Sequence, residues 1–120
     1  MNKAVLFPVL LFAAMSSPAK ATGGLLCRTA DAQPLEVSLG FGHVPAAGLF
    51  RAELRDGDRK IVVDATQWWM QGNELRLAMR HKSTFEMAAV VIANWNEKAR
   101  AYDGSIWRNG RKRWVRCREA

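Results

Sequence analysis

From residue 22 onward, apolar and polar residues alternate in short runs separated by turn residues, the period-two pattern of half-buried strands. Leu35, Val37, Leu39 and Phe41 share one face. Phe50, Ala52 and Leu54 form the next inward row, with Arg51, Glu53 and Arg55 turned away, and Asp56-Gly57-Asp58 makes a turn before Ile61 and Val63. Leu75, Leu77 and Met79 then alternate with Arg76, Ala78 and Arg80, after a Gln71-Gly72-Asn73 turn that follows Trp68 and Trp69. The run 85–95 is apolar on both faces and fits a central strand or a short buried helix; β-branched Val90, Val91 and Ile92 favour the strand. At the C-terminal end, runs 101–108 and 111–118 flank Asn109-Gly110. This is a strong two-residue hairpin signal, because both positions of that turn need positive φ.

Turn signals about every ten residues predict an all-β domain of about eight short strands, an antiparallel meander closed into a barrel or sandwich. Residues 22–120 suffice for one such domain and one core. The stretch 40–48, with His43 and Pro45, is the longest irregular segment; it reads as a connection or as a functional loop.

The first 21 residues read as a bacterial secretory signal: Lys3 is the positive start, residues 4–15 are the apolar stretch, and cleavage follows Ala19-Lys20-Ala21. The predicted location is periplasmic or secreted, with no transmembrane segment in the mature chain. In that oxidising compartment Cys27 and Cys117, the only cysteines, are expected to form a disulfide tying the two ends of the domain together. Lipidation of Cys27 fits less well, because Gly24-Leu25-Leu26 separates it from the apolar stretch.

Composition offers little material for catalysis. There are two histidines, no metal-ligand spacing, no nucleophile elbow and no phosphate-binding glycine loop, so a non-enzymatic protein without cofactor or metal is expected. Met79 and His81, with Met70 and Met87, are soft ligands suited to copper, but the alternation places Met79 in the core row.

Charge is unevenly placed. The chain carries 18 lysines and arginines against 11 acids; with Lys3 and Lys20 in the signal, 16 basic residues remain in the mature part. Eight of them, Lys98, Arg100, Arg108, Arg111, Lys112, Arg113, Arg116 and Arg118, crowd into residues 98–118 against the single anion Asp103. The Asn109-Gly110 turn sets Trp107 opposite Lys112, Ser105 opposite Trp114 and Asp103 opposite Arg116 on one face, and leaves Tyr102, Ile106, Val115 and Cys117 on the other. Trp107, Lys112, Trp114 and Arg116, with Arg111 and Arg113 beside them, are therefore the candidate binding residues. A face of rings and cations suits anionic glycans, lipid phosphates or an acidic protein groove, or else is a charged edge that guards the sheet. Export removes nucleic acid as a partner. Reversing Lys112 and Arg116 together is expected to abolish most of that binding with little change in melting temperature.

The exported size, the end-to-end cysteine pair and the closing stretch Tyr102-Asp103-Gly104-Ser105 through Val115-Arg116-Cys117 resemble the small periplasmic or membrane-bound inhibitors of c-type lysozyme. The resemblance implies a β-domain that binds a cell-wall hydrolase as an inhibitor or protective factor. That family's Tyr-x-Cys stands here as Leu25-Leu26-Cys27 and its Ser-Gly loop has no counterpart, so no inhibitory residue carries over. A basic stripe also repels a cationic lysozyme, which would have to meet another surface. The alternative function is a module that binds anionic envelope glycan or lipid through the C-terminal hairpin.

Overall fold

The computed structural model describes residues 23–42 and 49–120. The signal read at 1–21, its cleavage point, and His43 and Pro45 of the 40–48 stretch lie outside the described residues, as does the side chain of Phe50. The described chain forms nine strands: β1 (Gly23–Thr29), β2 (Leu35–Phe41), β3 (Leu49–Asp56), β4 (Arg59–Ile61), β5 (Val63–Gln71), β6 (Glu74–His81), β7 (Met87–Asn96), β8 (Ala101–Arg108) and β9 (Arg111–Glu119). Among the described residues there is no helix, and thus none long and apolar enough to cross a membrane.

The strands form one sheet in the order β4-β3-β2-β1-β9-β8-β7-β6-β5, with every neighbouring pair antiparallel. The two ends of that order, β4 and β5, are joined through the single residue Val62. The sheet has therefore curled until its ends stand side by side, making a nearly closed up-and-down barrel in which β4 and β5 act as one bent strand. Closure removes most of the exposed edge that an open sheet would present.

Alternation decides what fills the interior. Leu75, Ala93 and Val115 lie buried in one row with Gly104 between the last two, and Leu77, Val91 and Ile106 form the next. The first row sets small Ala93 and Gly104 between the larger Leu75 and Val115, and the second is filled by branched aliphatic side chains. The run 85–95 resolves as strand β7: Ala89, Val91 and Ala93 fill the barrel, while Val90 and Ile92 lie half-buried on its outer wall. Phe85 stands before the strand at φ 64°, its N–H donating to His81 O at 2.9 Å.

The hairpin β8–β9 follows its turn. Asn109 and Gly110 both have positive φ, 53° and 74°, and the resulting register sets Trp107 opposite Lys112, Ser105 opposite Trp114 and Asp103 opposite Arg116. Cys27 and Cys117 face one another directly across β1 and β9 and form the disulfide, both fully buried. One covalent bond thus fastens the first described strand to the last.

The two barrel ends differ in chemistry. At one, Arg108, its side chain 6% exposed, donates from Nε to Asp56 at 3.0 Å and from a terminal nitrogen to Ala88 O at 3.1 Å. Beside it Arg113 pairs with Asp31 at 2.5 Å and donates to Gln33 O at 3.0 Å. These partners offset the cost of burying the two guanidinium groups, although the Arg113 Nε is buried with no acceptor. At the other end Leu25, Phe41, Met70, Trp95 and Tyr102 line an apolar hollow, with Trp95 edge-on to Tyr102 at 5.1 Å.

Candidate functional site

The outward residues of β8 and β9 form the surface the alternation predicts. Trp107 is 37% exposed and Trp114 51% exposed, large fractions for rings of this size. Each is covered by a cation: Lys112 Nζ lies 5.7 Å from the Trp107 centroid, and the Arg116 guanidinium lies 5.2 Å from that of Trp114. Such a contact holds Lys112 in place without neutralising it, so its charge stays available to an incoming anion, whereas the charge of Arg116 is also met by Asp103.

Four of the six candidate residues therefore come together: Trp107, Lys112, Trp114 and Arg116. The other two do not join them. Arg111 sits at the tip of the turn, and Arg113 points the opposite way and belongs to the polar barrel end with Asp31. Period-two alternation separates odd from even positions on β9, so one face cannot carry all the cations of this strand.

The stripe extends further than the hairpin. Across β1, Leu26 stands opposite Arg118 and Arg28 opposite Arg116, so Leu26, Arg28, Arg118 and Trp114, with Glu119 at the edge, line a depression of about 310 Å³ in which Arg28 is paired with Glu36 at 3.2 Å. In the other direction Trp69 on β5, 38% exposed, carries Arg76 over its ring at 5.5 Å, and Ile92 lies between that pair and the hairpin. Sequence reasoning missed these contributors. The first group was within reach: a disulfide between facing residues fixes the β1–β9 register and with it the Arg28–Arg116 and Leu26–Arg118 neighbours. The second was not, because Trp69 owes its outward orientation to a bulge between Ala65 and Gln67.

Arg116 also has a structural partner. Its Nε donates to Asp103 at 2.6 Å and a terminal nitrogen donates to the second carboxylate oxygen at 2.8 Å, while Asn96 donates to that same oxygen at 2.9 Å. These bonds, led by Arg116 and opposed by partial burial, hold the Asp103 carboxyl below its ordinary value; the charges of Arg116 and Arg118 act in the same direction. A carboxyl whose folded pKa is depressed contributes stability that is fully present above the unfolded value, about 4, and is lost as pH falls through the folded value. Asp103→Asn should therefore melt below wild type at neutral pH, with the gap narrowing as pH falls below about 4. Melting temperatures across that range check this, and a gap that stays constant contradicts it.

The same bidentate pair corrects the double-reversal expectation. A glutamate at 116 would face Asp103 and lose this pairing, so Arg116→Glu is expected to lower stability as well as change the surface charge. Lys112 and Arg118, exposed and in no ion pair among the described residues, are the cleaner positions to reverse.

Met79, considered above with His81 as a soft ligand, is fully buried in the barrel core. Among the described residues no three His, Cys, Asp or Glu side chains group in a way that would hold a metal ion. Comparison of the chain with protein-family models, with curated proteins and with solved structures returns no match.

Proposed function

We propose that this is a non-enzymatic binding domain of the bacterial envelope, exported by its N-terminal segment, that docks an anionic surface of a protein partner on the β9–β1 wall. The most concrete version is an inhibitor or protective factor acting on a cell-wall hydrolase. The observation that carries the reading is Trp114, half exposed beneath Arg116 and beside the depression lined by Leu26, Arg28 and Arg118. A ring with apolar and cationic neighbours supplies the anchor and the charged rim typical of a protein interface. The wall of a barrel is convex, so its partner must bring the concavity. The acidic cleft of a glycan-cleaving enzyme, with its pair of carboxyl groups, has that shape and charge.

A second reading, an anionic envelope glycan or lipid as ligand, draws on the three ring–cation pairs at Trp69, Trp107 and Trp114, which offer stacking and charge at intervals along the outer wall. Direct titration separates the two. The purified protein is mixed with hydrolases that have acidic clefts, with an anionic cell-wall polysaccharide and with vesicles containing anionic lipid, each at about 50 mM and about 300 mM salt. A hydrolase should bind, with affinity falling as salt rises, and Lys112→Glu/Arg118→Glu should weaken binding about tenfold or more while melting close to wild type. Polysaccharide or vesicle binding with the same salt and charge dependence selects the second reading. Binding that ignores both salt and charge reversal reduces the stripe to a solvated edge.

A further inference from the structure

The barrel is nearly closed, and the place where it is not is specific. β3 is laddered to β2 from Leu49 to Asp56, but to β4 only at Leu54, Arg55 and Asp56. After Ile61 the chain leaves β3, and from Val63 onward it pairs with β6 alone. Among the described residues, 49–53 of β3 and the facing edge of β5 thus approach one another without a ladder between them. Backbone donors and acceptors along such edges are a template for another strand.

The opening is a cleft of about 610 Å³. Its floor is apolar and low: Ile61 and Val63 are almost buried, and Ala52 and Ala65, the inward residues on either side, are too small to fill it. Its rim carries Arg51, Lys60, Arg80 and Lys82 against Glu53 and Asp64, and Asp64 is already bound by Lys82 at 3.7 Å. Arg80, whose guanidinium lies 4.8 Å from the Phe85 ring centroid, keeps a buried Nε with no acceptor.

We propose that this seam is a strand-addition site for an extended, acidic segment of a partner protein. Main-chain hydrogen bonds to β3 or β5 would hold the segment, its small apolar residues would rest on Ala52 and Ala65, and its carboxylates would meet the cationic rim and the unpartnered Arg80. The rim charge selects the occupant. A second copy of this chain, whose mature part carries 16 basic against 11 acidic residues and has the same cationic rim, is repelled, whereas an acidic strand is attracted. The site lies on elements other than β9 and β1, so it stands or falls independently of the Trp114 surface.

The test uses a capped peptide of six residues alternating glutamate and valine, with a lysine–valine peptide and a centrally proline-substituted glutamate–valine peptide as controls. Binding is followed by fluorescence anisotropy and by amide hydrogen exchange. The acidic peptide should bind, slow exchange in 50–53 and 63–65, and lose affinity about tenfold or more in Arg51→Glu/Lys60→Glu, where both positions are exposed; Trp114→Ala should leave it unchanged. Neither control peptide should match it, since one reverses the charge and the other removes a donor from the strand. The proposal is overturned if the acidic peptide does not bind, if the lysine peptide binds equally, if protection appears elsewhere, or if the protein instead self-associates through this edge.

Discussion

Gly104→Ala is expected to lower the melting temperature by roughly 15 °C or more, a large effect for one methyl group. Gly104 faces into the barrel on β8, between Ala93 of β7 and Val115 of β9. A Cβ at this position would run into the carbonyl oxygen of Ile92 and lie 2.5 Å from the Cα of Ala93. Both are backbone atoms of a laddered strand, so the side chain cannot swing aside and the β7–β8 pairing must part. Overpacking that moves backbone costs about 3 kcal/mol or more, a large share of the stability of a domain this small. Gly23→Ala is the control: at the start of β1 the added methyl meets nothing within 4 Å, and its melting temperature should stay within a few degrees of wild type. Thermal denaturation of the two variants decides it; equal melting temperatures would show that β7 yields at no cost.

What could be read ahead of the structure follows the range of the forces involved. The hairpin register from Tyr102 to Cys117 was legible because a two-residue Asn-Gly turn determines it locally, and every cross-strand pair follows from counting outward. The stripe was legible for the same reason. The bulge at Thr66 was not: an extra residue in β5, its hydroxyl donating to Ala78 O at 3.2 Å, reverses the alternation there. It turns Trp68 inward, 5.2 Å from Phe41, and Trp69 outward onto the wall that carries the ring–cation pairs. Nor does local pattern show that Arg108 is buried. Flanking a turn among other cations, it reads as a surface residue, and only the meeting of that turn with Asp56, 52 positions away, turns it into a plug for the barrel end. Barrel or sandwich was likewise open in the sequence, since both use the same alternation. The bent strand at Val62, which brings β4 and β5 together, decides for the barrel.

Removing the disulfide by Cys27→Ala/Cys117→Ala is expected to cost roughly 3 to 5 kcal/mol and to open the barrel at one place first. The bond spans a sequence separation of 90, and in the chain-entropy account a loop of that length restricts the unfolded chain by roughly 4 to 5 kcal/mol. Alanine is the right replacement, because both sulfurs sit in the core and a serine pair would add buried hydroxyl groups to the loss of the link. Opening should be local because β1 and β9 meet by a ladder of five residue pairs, from Leu25–Glu119 to Thr29–Val115, with nothing else covalent between them. Hydrogen exchange in the double variant should accelerate in β1 and β9 well before β6 and β7, and the melting temperature should fall by roughly 15 °C or more. The effect also reaches the proposed binding wall. Leu26 and Arg28 stand on β1 while Trp114 and Arg116 stand on β9, so a frayed β1–β9 pair splits the depression and partner affinity should fall even below the melting transition. If exchange rises uniformly around the barrel, the bond acts only through the unfolded chain; if affinity survives fraying, the partner reads β9 alone.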